Sequence, residues 1–247
     1  MATEGPGWVG KPSVESITLP AQLALNIFLR YNENPDAEEV ARYKSAHLVI
    51  EGDFPPRGVK ANLRKLPGFV EFKGRADFSG SELETFHGIA WGPIFFENCA
   101  QLARITGESR FYGSVHAANT PRLRTWNHAV GGDLDITGSG MEWLGVNTMV
   151  QGKLTADRTA KLYMLEGTYA GSVSLSDSKL TEINRSARIA GPIENNPLLA
   201  RQYEEIRRKS STGKVPATRL ESVGADVASG ASRSHPSAAH SAKAQQK

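Results

Sequence analysis

The sequence predicts a mainly β repeat solenoid closed by helices at both ends. Three observations predict it. Glycines recur at Gly74, Gly92, Gly113, Gly132, Gly152, Gly171 and Gly191, spaced 18, 21, 19, 20, 19 and 20 residues apart, and stacked supersecondary units leave a period of this size. With each glycine as position one, positions three and five are apolar or small: Ala76 and Phe78, Ile94 and Phe96, Val115 and Ala117, Leu134 and Ile136, Leu154 and Ala156, Val173 and Leu175. A period of two marks a strand with one buried face. Position eight is Ser81, Cys99, Thr120, Ser139, Thr159 or Ser178, a column of small side chains that can hydrogen-bond.

Further apolar residues follow in each unit, at Leu83, Leu102, Leu123, Met141, Leu162 and Leu180, then at Phe86, Ile105, Trp126, Leu144 and Leu165 or Ile183. An irregular first unit begins near Ala46. Leu48 and Ile50 supply its strand, Leu63, Leu66 and Pro67 follow, and an inserted loop carries Pro55 and Pro56. The repeat region therefore spans 46–195.

The ends read as caps. In PAQLALNIFLRY, residues 20–31, Leu23, Ile27 and Phe28 or Tyr31 fall on one helical face. Asn34-Pro35 reads as the start of a second helix, DAEEVARYKS, so residues 1–45 form the N-terminal segment and cap. Asn196-Pro197 repeats the start signal before PLLARQYEEIRRK, with Leu199, Tyr203 and Ile206 on a stripe, giving a capping helix over 196–209. Arg207, Arg208 and Lys209 fall in its last turn, where cations suit the helix dipole. Residues 210–247 hold no Phe, Tyr or Trp and are rich in Ala, Ser and Gly. Such a segment buries too little apolar surface to offset its ordering entropy, so a disordered tail is expected.

Composition excludes several classes. The net charge of +3 resides in that tail, where Lys214, Arg219, Arg233, Lys243 and Lys247 face only Glu221 and Asp226. The remainder balances at zero, so no basic face for nucleic acid is expected. No apolar run is long enough for a membrane span. With Cys99 as the single cysteine, an intramolecular disulfide is impossible, and neither metal nor cofactor is expected. The start MATEGPGWVGKPSV lacks the pattern of a Sec-type leader. The expected location is the cytoplasm, or export by another route, into a host cell among the possibilities.

The matching segments VSLSDSKL, LDITGSGM and IFFENCAQL follow the pattern LxLxxN/CxL and resemble the leucine-rich-repeat family, in particular the short bacterial repeats of effector proteins. The resemblance covers 46–195 and implies one strong strand per turn and a protein-binding surface. The sequence departs from the family in its ladder position, which is Ser, Thr or Cys. It also often has Val, Ala or Phe for leucine, and a single weakened LPxLP segment at Leu66-Pro67. A right-handed parallel β-helix is the alternative fold.

GGDLDIT, residues 131–137, invites a reading as a phosphate loop or a carboxylate pair. In register it is one rung, and no helix opens after its glycines as a phosphate loop needs. Rungs stack about 4.8 Å apart, so position four forms an outward column of Asp77, Phe95, His116, Asp135, Thr155 and Ser174. Position two forms another, which includes Arg75, Asp133 and Lys153. No nucleophile motif is present, and Cys99 in the ladder position reads as structural. The expected function is a non-enzymatic, monomeric binding module that docks a protein through Phe95, His116, Asp133, Asp135, Lys153 and Asp77. The alternatives are a polysaccharide-active β-helix enzyme using Glu97, His116 and Asp135, and a structural solenoid scaffold. Trp91, Trp126 and Trp143 are expected to pack as core or edge residues.

Overall fold

A computed structural model describes residues 15–212; the expectations for an export address near the N-terminus and for the tail beyond 212 lie outside the described residues. The chain forms a β-solenoid of parallel strands, three short ones per turn in its regular part, lying on three faces. The first face is a nine-stranded sheet running from Ser16–Pro20 through His47–Glu51, Phe69–Phe72, Gly88–Ala90, Arg110–Phe111, Ala129–Val130, Met149–Val150 and Thr168–Tyr169 to Arg188–Ile189. The second is a seven-stranded sheet from Ala76–Asp77 to Ile193–Glu194, with one strand from each turn directly after the repeat glycine. The third carries Thr85–Phe86 paired with Arg104–Ile105, then Thr125–Trp126, Trp143–Leu144 and Met164–Leu165. Three flat strands per turn, not one dominant strand, is the cross-section that the β-helix alternative requires.

The core follows the predicted register. In the six complete units every residue at positions three and five is at most 1% exposed. Inside, Phe28, Phe54, Phe72, Phe78, Phe86, Phe96, Phe111 and Trp126 form a continuous run of ring contacts, with centroids from 5.2 to 6.4 Å apart. Such tilted and offset pairs add to the area they bury. Three members of the position-eight column close onto the backbone: Thr120 and Thr159 hydroxyls donate to the carbonyls of Ala117 and Ala156, and Cys99 Sγ donates to that of Phe78, whereas the buried Ser178 hydroxyl has no partner among the described residues. Cys99 is fully buried, and burial pushes its thiol pKa up, which fits the structural role and disfavours the thiolate.

The repeat glycine is required by the approach of consecutive turns. A Cβ on Gly92 would stand 2.6 Å from the Gly74 carbonyl oxygen, and one on Gly113 2.5 Å from that of Gly92. At the next corner Gly80, Asn98, Asn119, Gly138, Arg158 and Asp177 all have φ between 54° and 71°. This left-handed conformation favours Gly, Asn and Asp, and Arg158 is the residue there with neither advantage.

The solenoid starts earlier than expected. Ser16–Pro20 pairs in parallel with His47–Glu51, and the chain between them leaves the sheet as helix α1 (Ala21–Glu33). In α1 the buried residues are Ala24, Leu25, Ile27 and Phe28, whereas Leu23 is 47% exposed, contrary to its predicted place on the apolar stripe. The expected second helix over 36–45 is only the single turn α2 (Glu38–Ala41). Asn34 does not start it; its N–H closes α1 on Arg30 O and its side chain accepts the Asp36 N–H. In the first-turn loop, Phe54 is buried and bridges to Ala76, extending the seven-stranded face. At the other end α3 (Pro197–Thr212) runs past Lys209. Its N-terminus is capped as predicted, with Asn196 Oδ1 accepting the Leu199 N–H at 3.2 Å. Leu199 and Tyr203 are buried against the last turn, and Tyr203 Oη accepts the Ile189 N–H at 2.7 Å.

Candidate functional site

The seven-stranded face places the predicted columns in register. Asp77 pairs with Phe95, Phe95 with His116, His116 with Asp135, and Asp135 with Thr155. The alternation that buries positions three and five turns these side chains outward. The Phe95 ring is half-buried between the Arg75 guanidinium, 4.1 Å from its centroid, and the His116 imidazole, 4.5 Å away and within 4° of parallel. Arg75 also pairs with Asp77 at 2.7 Å. Burial works to raise the Asp77 carboxyl pKa, but hydrogen bonds from Ser79 and Arg75 outweigh it and hold it below the usual value.

The remaining predicted residues engage their own neighbours. Asp135 accepts the Thr137 N–H at 2.9 Å, and Asp133 accepts the Lys153 N–H at 2.7 Å. Lys153 Nζ donates to Glu194 Oε2 at 2.7 Å, which raises the lysine pKa and lowers the glutamate's. The column thus brings His116 and Asp135 side by side, but the ring is stacked and the carboxylate serves a turn. Among the described residues, no group of three His, Cys, Asp or Glu could hold a metal ion, and no helix is long and apolar enough to cross a membrane.

The nine-stranded face carries a second constellation that the sequence reading did not single out. Trp91 is 45% and Tyr112 37% exposed; of the tryptophans expected in core or edge positions, Trp126 is fully buried but Trp91 is not. The Trp91 and Tyr112 rings stack at 4.3 Å and 10°. Lys73 Nζ lies 4.8 Å from the Trp91 centroid, and Trp91 Nε1 donates to Glu71 Oε1 at 2.6 Å. Glu71 is itself buried and also takes a hydrogen bond from Lys73, while His47 Nε2 stands 3.0 Å from its other oxygen. Burial alone would raise the Glu71 pKa, yet hydrogen bonds from Lys73 and Trp91 hold it below the ordinary glutamate value. A signal was available: Lys73, Trp91 and Tyr112 each immediately precede a repeat glycine.

No family model matches the chain, and neither the curated proteins nor the solved structures contain a match to it.

Proposed function

We propose that the chain is a non-enzymatic binding module that docks a protein partner on the outward side of its seven-stranded face. The observation that carries this reading is the Arg75–Phe95–His116 stack. It holds a large aromatic in one orientation on a polar surface, so little side-chain freedom is lost on binding. Asp77, Asp133, Asp135 and Lys153 supply a polar rim of both signs. The repeat of about 20 residues resembles the leucine-rich repeats of bacterial effectors, and on that resemblance the partner is a host protein met after export. Because a fold does not determine function, the partner must be identified directly. The test is affinity capture from bacterial and eukaryotic lysates, comparing the native chain with a Phe95→Ala, Asp135→Lys variant of unchanged circular dichroism. A protein captured by the native chain and lost by the variant supports the reading; equal capture by both removes this face from it.

Three flat strands per turn also favour a second reading, a polysaccharide-active β-helix using Glu97, His116 and Asp135. Its test is release of reducing ends from a glycan panel. Release abolished by Asp135→Asn would replace the binding reading.

A further inference from the structure

The middle of the nine-stranded face contains a trough. Successive rungs present outward pairs in register: Ile89 and Trp91, Arg110 and Tyr112, Ala129 and Gly131, Met149 and Gln151. Backbone hydrogen bonds carry this register beyond the strands, since Tyr112, Gly131 and Gln151 N–H groups donate to Ala90, Phe111 and Val130 carbonyls. Ala129 and Gly131 are exposed and have almost no side chain. They floor a channel between Arg110 and Tyr112 on one side and Met149 and Gln151 on the other. Two rung spacings set the walls roughly 9.6 Å apart, enough for one planar ring with a stacking distance on either side.

One wall is prepared for such a ring. Trp91 covers one side of the Tyr112 ring and is fixed by Glu71 and Lys73. The other side of Tyr112 looks over Gly131. Arg110, two residues before Tyr112 and exposed, has no ion-pair partner among the described residues. The opposite wall offers Met149, 36% exposed, whose thioether suits an aromatic edge. We propose that this trough seats an aromatic side chain of a partner protein, carried beside an Asp or Glu that pairs with Arg110. The stacked tyrosine supplies the ring contact, and the guanidinium selects for a neighbouring negative charge. The inference rests on the protein-binding reading but uses the opposite choice of face.

The test is panning of a displayed random-peptide library on the full chain, followed by titration of enriched peptides. Enriched sequences are expected to carry Trp, Tyr or Phe within two residues of Asp or Glu. Their affinity should fall about tenfold or more with Tyr112→Ser and with Ala129→Glu. The second variant leaves the tyrosine stack in place and fills the trough with like charge. Enrichment without that pairing, or affinity unmoved by both variants, overturns the proposal. Peptides lost instead with Phe95→Ala, Asp135→Lys place binding on the seven-stranded face and overturn the trough alone. If no peptide is enriched on either face, both readings fall. An oligosaccharide bound in a Tyr112-dependent way would reassign the trough to glycans and overturn the peptide as occupant.

Discussion

The imidazole of His116 lies flat on the phenyl ring of Phe95, centroids 4.5 Å apart and planes within 4°. The two residues are direct cross-strand partners on adjacent rungs, so the stack is a product of register. Truncating either residue alone should destabilise the fold, and a double-mutant cycle of Phe95→Ala and His116→Ala should return a coupling of about 0.5–1 kcal/mol. Additive effects in urea unfolding would mean that the rings share a surface without interacting.

The repeat glycines and the loop glycines should respond oppositely to one methyl group. Gly113→Ala puts a Cβ 2.5 Å from the Gly92 carbonyl oxygen, backbone that cannot move without shifting a turn. It is expected to cost about 2–4 kcal/mol. Gly107→Ala meets nothing within 4 Å and should be neutral or stabilising by about 0.4–1 kcal/mol through the unfolded chain. Thermal unfolding of the two variants against the native chain checks both signs.

Arg158 occupies the left-handed corner with φ 54°. Release of that strain is worth roughly 1–2 kcal/mol, and the extra unfolded-state freedom of glycine returns about 0.5–1 of it. Arg158→Gly should therefore raise stability by about 0.5–1 kcal/mol, whereas Asn119→Val at the equivalent corner should lower it. A fall in melting temperature for Arg158→Gly would show that its side chain contributes more than its backbone costs.

Stability should decline on acidification in two stages. Burial holds His128 below its ordinary value of 6.5, so protons prefer the unfolded chain. Its contribution is complete above 6.5 and is lost as pH falls through the lower folded value. Glu71 is likewise depressed, from 4.5; its contribution is complete above 4.5 and disappears as pH falls through its folded value. Urea midpoints from about pH 7 to pH 3 should show both stages, with His128→Asn flattening the first and Glu71→Gln the second. A profile unchanged by either variant would assign the acid response to other groups.

Much of the seven-stranded face was legible because two residues per rung point inward there. Leu134 and Ile136 alternate with Asp133 and Asp135, and that alternation fixes register and outward columns together. The nine-stranded face was not, because on its short rungs only one inward residue is large and apolar, such as Phe111, Val130, Val150 or Tyr169, while the buried residue two positions earlier is small or polar, as with Gly88, Ser109, Thr148 and Gly167. One apolar position per turn has no period of two. Its outward neighbours Trp91 and Tyr112 consequently carried no visible orientation. The third face was half legible: Phe86, Ile105, Trp126, Leu144 and Leu165 were recognised as apolar, but not as strands. The strand Ser16–Pro20 escaped because α1 and α2 separate it from its partner, and no repeat glycine precedes it. Leu23 was misplaced because α1 buries Ala24 and Leu25 beside Ile27 and Phe28, rotating the stripe away from it.

The contact between Tyr203 and the Ile189 amide sits where a further rung would otherwise attach. A stack of parallel strands has no intrinsic reason to stop, since each rung offers the next the same row of donors and acceptors. With Tyr203 of α3 the chain takes up a donor of that row, and at the other end it lays α1 against the strands Ser16–Pro20 and His47–Glu51, so that helices stand where the regular rungs begin and end. A duplicated or deleted turn of about 20 residues would change the spacing between surface features in whole-rung steps while leaving both terminations intact.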